Sequence, residues 1–107
     1  MKKNEPKFYN YKALALFLSN QYEQSLYAFE EALKLYELKN IKDPEVGECW
    51  FNFGNALLNL NREDESLDCF LKTDDYNIDT KIRIKVLYAQ GRAYESKKDI
   101  KSIEKFR

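Results

Sequence analysis

Two pairs of small residues, each twelve positions apart and each set among similar larger neighbours, constrain this chain more than any other feature. Ala13 stands twelve residues before Ser25, and Gly54 twelve before Ser66. Around the first pair the sequence reads Tyr9-x3-Ala13-x2-Leu16, then Ser25-x3-Phe29-x2-Ala32. Around the second it reads Trp50-x2-Phe53-Gly54-x2-Leu57, then Ser66-x3-Phe70. A third copy follows as Leu87-x3-Gly91-x2-Tyr94 with Ser102-x3-Phe106, its intervening turn one residue shorter. Self-similarity of this kind marks a chain built by stacking one supersecondary unit.

The unit is helical. Val46, Trp50, Phe53, Leu57 and Leu60 recur with the spacing of one helix face, and Tyr22, Leu26, Phe29, Leu33 and Tyr36 do the same upstream. Asp43-Pro44 offers an N-cap and a proline at the first helical position, while Asn20 and Asn61 suit the left-handed residue that ends a helix. The pattern predicts six helices over approximately 6–19, 22–39, 44–60, 63–74, 79–97 and 99–107. Short links force consecutive helices antiparallel, giving three hairpins in a row within a single domain, 1–107. The expected repeats are approximately 6–43, 44–78 and 79–107, the last possibly truncated. A glycine inside a helix costs about 1 kcal/mol relative to alanine, so Gly54 needs a packing reason. A close approach of Gly54 to Ser66, implied by the repeat family that these motifs resemble, supplies one, with Trp50, Leu57 and Phe70 filling the surrounding space.

These motifs resemble the tetratricopeptide repeat, whose pattern runs aromatic, large apolar, small and large, then small and aromatic in the partner helix. The resemblance spans nearly the whole chain and is strongest in the middle copy. It implies an all-α, right-handed superhelix of three antiparallel helix hairpins. The fit is not uniform. Ala13 to Gly54 spans 41 residues and Gly54 to Gly91 spans 37, both longer than the family repeat. Lys12 and Gln90 replace a large apolar residue, and no proline closes a repeat.

Composition excludes several function classes. With 18 basic and 18 acidic residues in 107 there is no global positive field to collect phosphates, so no nucleic acid partner is expected. The longest apolar run, Ala13 to Leu18, is far below spanning length, and no apolar segment follows the first lysines as in a signal peptide. No membrane association and a cytoplasmic location follow as expectations. Cys49 and Cys69 read as buried, reduced thiols. Without histidine the commonest general base is missing, and Gly54 and Gly91 fit no phosphate-binding motif. No enzyme activity, cofactor or metal is expected. Asp75-x-Asn77-x-Asp79 begins like a calcium loop but continues with Thr80 where glycine is required and Val86 where the bidentate glutamate belongs. Asp79 is better read as the cap of the next helix.

The resemblance implies a protein-protein interaction scaffold whose concave groove, lined by the first helix of each hairpin, binds a peptide or partner segment. The residues beside the packing face are then the site: Asn10, Leu14 and Phe17, next Phe51, Asn52, Asn55, Leu58 and Asn59, and finally Lys85, Tyr88 and Arg92. Asparagine amides can hold an extended backbone through a donor and an acceptor, and the aromatics offer side-chain pockets. The plainer reading is that the aromatics pack between repeats and the amides are solvated. Two alternatives are a peptide-sensing regulatory domain and a chaperone adaptor of the carboxylate-clamp type. At the clamp positions stand Asn10, Leu14, Asn52, Lys85 and Ala89, of which only Asn52 and Lys85 fit. Charge is uneven, with net +1 over 1–43, −7 over 44–79 and +6 over 80–107. The C-terminal hairpin, with Ile100, Ile103 and Phe106 lacking a covering helix, is an expected self-association surface that meets an acidic hairpin of another copy and weakens with salt.

Overall fold

The computed structural model describes residues 5–105, with side chains described from Glu5 to Lys98. Its elements are α1 (Pro6–Leu18), α2 (Tyr22–Leu38), α3 (Pro44–Asn59), α4 (Glu63–Lys72), a 3-10 turn (Thr73–Asp75) and α5 (Thr80–Lys105). No strand occurs among the described residues. α1 packs antiparallel on α2 and α3 on α4, α2 joins the two hairpins through α3, and α5 lies along α4 and α3. Proline opens α1 and α3 at the first turn, where its missing N–H costs nothing. Asp43 is extended at the N-cap of α3 without a side-chain cap bond. Asp79 does cap α5, its Oδ1 accepting the Ile82 N–H at 2.9 Å.

Three helix ends share one device. Asn20, Asn40 and Asn61 are left-handed, with φ of 65°, 55° and 60°. At the end of α3 the Asn61 N–H reaches the Leu58 carbonyl and the Arg62 N–H the Leu57 carbonyl, both at 3.0 Å. Asn20 with Gln21 closes α1, and Asn40 with Ile41 closes α2, in the same way. This paired closure satisfies carbonyls that a helix end leaves unbonded, and asparagine tolerates the left-handed backbone better than most residues.

The core is one large cluster and one smaller one. The first joins the N-terminal hairpin to α3 and α4 through Ala13, Leu26, Phe29, Tyr36, Val46, Cys49, Leu57 and Cys69. The second holds α5 in place through Phe51, Phe70, Val86 and Ala89. Ser25 and Ser66 are fully buried, and each hydroxyl donates within its own helix, to the Tyr22 carbonyl at 2.6 Å and the Glu63 carbonyl at 2.7 Å. The expected meeting of Gly54 with Ser66 takes a different form. A Cβ on Gly54 would lie 2.5 Å from Cε1 and 2.8 Å from Cδ1 of Phe70, so the glycine makes room for the aromatic ring.

The third expected hairpin is not formed. α5 runs without a break through residue 98 to Lys105, where two helices, 79–97 and 99–107, were expected. The cause lies in the turn residue. Asn20 and Asn61 stand seven positions after Ala13 and Gly54, but Lys98 stands seven after Gly91, and lysine has no comparable tolerance of the left-handed conformation. α5 is instead fastened near its start to the 3-10 turn that follows α4, and farther along to α4 itself. Arg83 pairs with Asp74 and Lys97 with Asp64, each at 2.5 Å, and the Ser96 hydroxyl donates to Oε1 of buried Glu63 at 2.7 Å. The acidic and basic blocks of the sequence therefore meet within one molecule.

Candidate functional site

Placing α5 beside α3 opens a groove of about 330 Å³ lined by Phe51 and Asn55 from α3 and by Ile84, Lys85, Tyr88, Ala89 and Arg92 from α5. Its floor is apolar. Phe51 is nearly buried against Phe70, with ring centroids 6.1 Å apart, and Ala89 is buried beside it. The rim is aromatic and cationic: Tyr88 is 71% exposed, and among the described residues neither Lys85 nor Arg92 belongs to an ion pair. Lys85, Tyr88 and Arg92 share one face because they sit three, four and seven residues apart on a single helix. The groove thus combines a shallow apolar seat, an amide and two positive charges.

Five of the residues singled out from the sequence, Phe51, Asn55, Lys85, Tyr88 and Arg92, converge here. The other six do not line this groove. Asn10 is buried, its amide facing the Tyr36 hydroxyl and its Oδ1 without a partner. Tyr36 in turn donates to Oε2 of Glu45 at 3.3 Å. Burial, reinforced by Glu45 and Cys49, raises the Tyr36 phenol above its ordinary value and keeps it protonated. This polar cluster joins α1, α2 and α3 and is interior rather than a surface site. Leu14 and Phe17 pack at the margin of the large core cluster, with Phe17 edge-on to Tyr22 at 5.4 Å. Leu58 is core. Asn52 is half-buried, and exposed Asn59 donates its amide to the Asn55 carbonyl at 2.9 Å. Ile100 and Ile103 lie outside the described side chains and Phe106 outside the described residues.

Sequence reasoning missed Ile84 and weighed Ala89 only as a clamp position that does not fit, although Ile84 precedes Tyr88 by four and Ala89 precedes Arg92 by three, the spacing of one helix face. It also missed two further clefts. One, of about 500 Å³, lies between α1 and α2 with Tyr9, Leu16, Tyr27 and Ala28 in its wall. The other, of about 440 Å³, lies where the end of α2 faces α3 and the segment after α4, with Trp50, Phe53, Ile41 and Tyr76 around it. There the Lys72 Nζ stands 6.0 Å from the Trp50 ring centroid, at the outer reach of a cation–π contact. Among the described residues no cluster of three histidine, cysteine or acidic side chains could hold a metal, and no helix is long and apolar enough to cross a membrane.

An array of antiparallel helix pairs, each closed around a small residue of its first helix, with an open groove along the first helices, defines a helical-repeat protein. Comparison with known families sharpens this: residues 47–75, the α3–α4 hairpin with the turn that follows, match the family model of the tetratricopeptide repeat. The described residues form an all-α, solenoid-like array, and the stretch 47–75 within it is similar to the tetratricopeptide repeat, a unit that generally serves protein-protein interaction. Neither a curated protein nor a solved structure matches the chain.

Proposed function

We propose that the chain is a non-catalytic interaction module of the cytoplasm that holds an extended peptide segment of a protein partner in the groove between α3 and α5. Residues 1–107 act as one unit, with repeats over 6–43 and 44–78 and a third, over 79–107, represented by its long helix. The observation that carries this reading is the convergence of Phe51, Asn55, Lys85, Tyr88 and Arg92 from two helices on one groove whose cations form no ion pair among the described residues. An aromatic or branched side chain of the peptide sits over Phe51 between Ile84 and Tyr88. A carboxylate on the same peptide meets Lys85 or Arg92, a charge-assisted contact that fixes register. Asn55 offers the peptide backbone a donor and an acceptor.

The carboxylate-clamp alternative is weaker, because Asn10 and Ala89 at two of its positions are buried. Selection from a random peptide library, followed by fluorescence polarisation, tests the reading. Peptides with an apolar residue flanked by an acidic one should be enriched. Tyr88→Ala and Arg92→Glu should each weaken them about tenfold or more without loss of helical signal. Binders indifferent to both substitutions would refute the groove, and micromolar binding of a peptide ending in two acidic residues would restore the chaperone adaptor.

A further inference from the structure

The two hairpins differ in the length of their second helix. α2 has 17 residues, whereas α4 has only 10 and stops at Lys72. At 1.5 Å per residue the shortfall leaves about 10 Å of α2 without a helix beside it. Beyond Lys72 the chain turns through the 3-10 segment and crosses the start of α3, where Tyr76 and Ile78 lie against Gly47. The last two turns of α2 therefore look across α3 into an open cleft of about 440 Å³. Trp50 and Phe53, both half-buried and with ring centroids 6.1 Å apart, form its aromatic wall together with half-buried Tyr76. On its rim stand three exposed carboxylates, Glu30 and Glu37 from α2 and Asp75 from the opposite side. None of the three belongs to an ion pair among the described residues. A cation already approaches the aromatic wall, since the Lys72 ammonium is 6.0 Å from the Trp50 centroid.

We infer that this cleft is a second binding site, separate from the groove between α3 and α5, and that it takes an arginine side chain of a protein partner. The face of an indole ring is electronegative, so it attracts a cation and disfavours a carboxylate. A guanidinium is flat and always charged, and it can stack on the ring while its edge N–H groups donate to carboxylates on either side. Trp50 with Glu30, Glu37 and Asp75 offers that combination in one cleft. Lys72 acts as a resident cation that is loosely held, because 6.0 Å is the outer reach of such a contact. An incoming arginine displaces it. Lys34 and Lys42 also edge the cleft and are exposed. Their ammonium groups end long, flexible stems that swing into water, whereas the carboxylates sit closer to the backbone. The approach is acidic as well: residues 44–79 carry net −7, and only Asp64 and Asp74 are matched by cations of α5. Trp50 and Phe51 are consecutive on α3, about 100° apart around its axis, so one helix serves this cleft with the first and the α3–α5 groove with the second.

Trp50 is the sole tryptophan of the chain, so its emission reads occupancy of the cleft directly and independently of the α3–α5 groove, which it does not line. The 107-residue chain is titrated with three blocked octapeptides of alanine, serine and glycine that carry one central arginine, lysine or glutamate. The arginine peptide should give a saturable change in emission, the lysine peptide should bind at least about threefold more weakly, and the glutamate peptide should give no change. Glu37→Gln and Asp75→Asn should each weaken the arginine peptide at least about threefold with helical signal intact. Glu48→Gln removes the same charge from an exposed position outside the cleft and should leave binding within about twofold. Lys72→Met should tighten binding about threefold by removing the competing cation. Absence of a saturable change, equal binding of the three peptides, or equal binding of the arginine and lysine peptides overturns the inference. So does a loss with Glu48→Gln as large as that with Glu37→Gln, which would reveal general attraction to an acidic surface. Weaker binding by Lys72→Met also overturns it, because the lysine would then be part of the site and the ligand an anion.

Discussion

Gly54 and Gly91 occupy the same place in their repeats but face opposite surroundings, and substitution should therefore act with opposite sign. A methyl group at 54 would press on the Phe70 ring, whereas at 91 it meets open space. Gly91→Ala should stabilise the monomer by up to about 1 kcal/mol through helix propensity. Gly54→Ala gains the same term and loses about 1–3 kcal/mol to overpacking, so its net effect should be destabilising; Gly54→Leu should cost several kcal/mol more. Urea denaturation of the three variants checks the order, and an equal response at the two positions would contradict the packing account. The buried thiols carry a second residue-scale prediction. Burial is the main cause that pushes Cys49 and Cys69 from 9.0 to about 12, with Cys69 and Glu45 adding at Cys49, and Asp68 and Glu65 at Cys69. Because both are raised in the fold, their contribution is complete below pH 9.0 and is lost as pH climbs through about 12. Unfolding free energy should fall in that window by up to about 1.4 kcal/mol per pH unit for each thiol. Replacing both cysteines by alanine should flatten the alkaline limb without abolishing it, since Tyr36 is raised as well.

At the scale of an element, the ends of the helices decide the topology. The left-handed Asn61 closes α3 with two backbone bonds, so Asn61→Val should cost about 1–2 kcal/mol in equilibrium unfolding, and Asn61→Gly should be tolerated. Asp79→Ala removes the cap bond to Ile82 and should cost about 1 kcal/mol, with faster amide exchange confined to the first turn of α5. The starts and ends of α1 and α3 were legible because apolar periodicity, proline and asparagine agree there, whereas α4 stops at Lys72, short of the expected 74, where neither residue marks its end. The run of α5 through residue 98 was not legible, because the small-and-aromatic spacing of the third copy predicts a hairpin and only the turn residue argues against one. Asn20 and Asn61 at one fixed offset, with Lys98 at the same offset in the third copy, was the signal available and unused. Charge was misleading for a related reason. The −7 and +6 blocks suggested contact between molecules, but the packing of α5 on α4 and on the turn that follows it brings Asp64 to Lys97 and Asp74 to Arg83 inside one. Both pairs are exposed to solvent on at least one side, so they fix the position of α5 more than they stabilise the fold.

Across the whole molecule, the groove was half legible because periodicity says which residues share a helix face but not how far a neighbouring helix overlaps it. Phe51, Asn55, Lys85, Tyr88 and Arg92 fall where α3 and α5 diverge, whereas Asn10 and Leu58 are taken into the interior by helices packed over them. The same packing distributes stability unevenly. α2 contributes Leu26, Phe29, Leu33 and Tyr36 to the large cluster and is covered from both sides by α1 and α3. α5 contributes Val86 and Ala89 to the small cluster, with Ala93 also buried, and leaves Ile84, Leu87, Tyr88 and Tyr94 exposed. Each unit of a repeat array is stabilised mainly by its immediate neighbours, so an element packed on one side opens before one packed on two. Hydrogen exchange of the dilute protein should therefore show the strongest protection in α2 and α3 and markedly weaker protection along α5, rather than one global value. Added urea should merge the two classes only as the larger cluster begins to unfold. Uniform protection would mean that α5 is as firmly held as the hairpins, and that the two clusters behave as a single cooperative core.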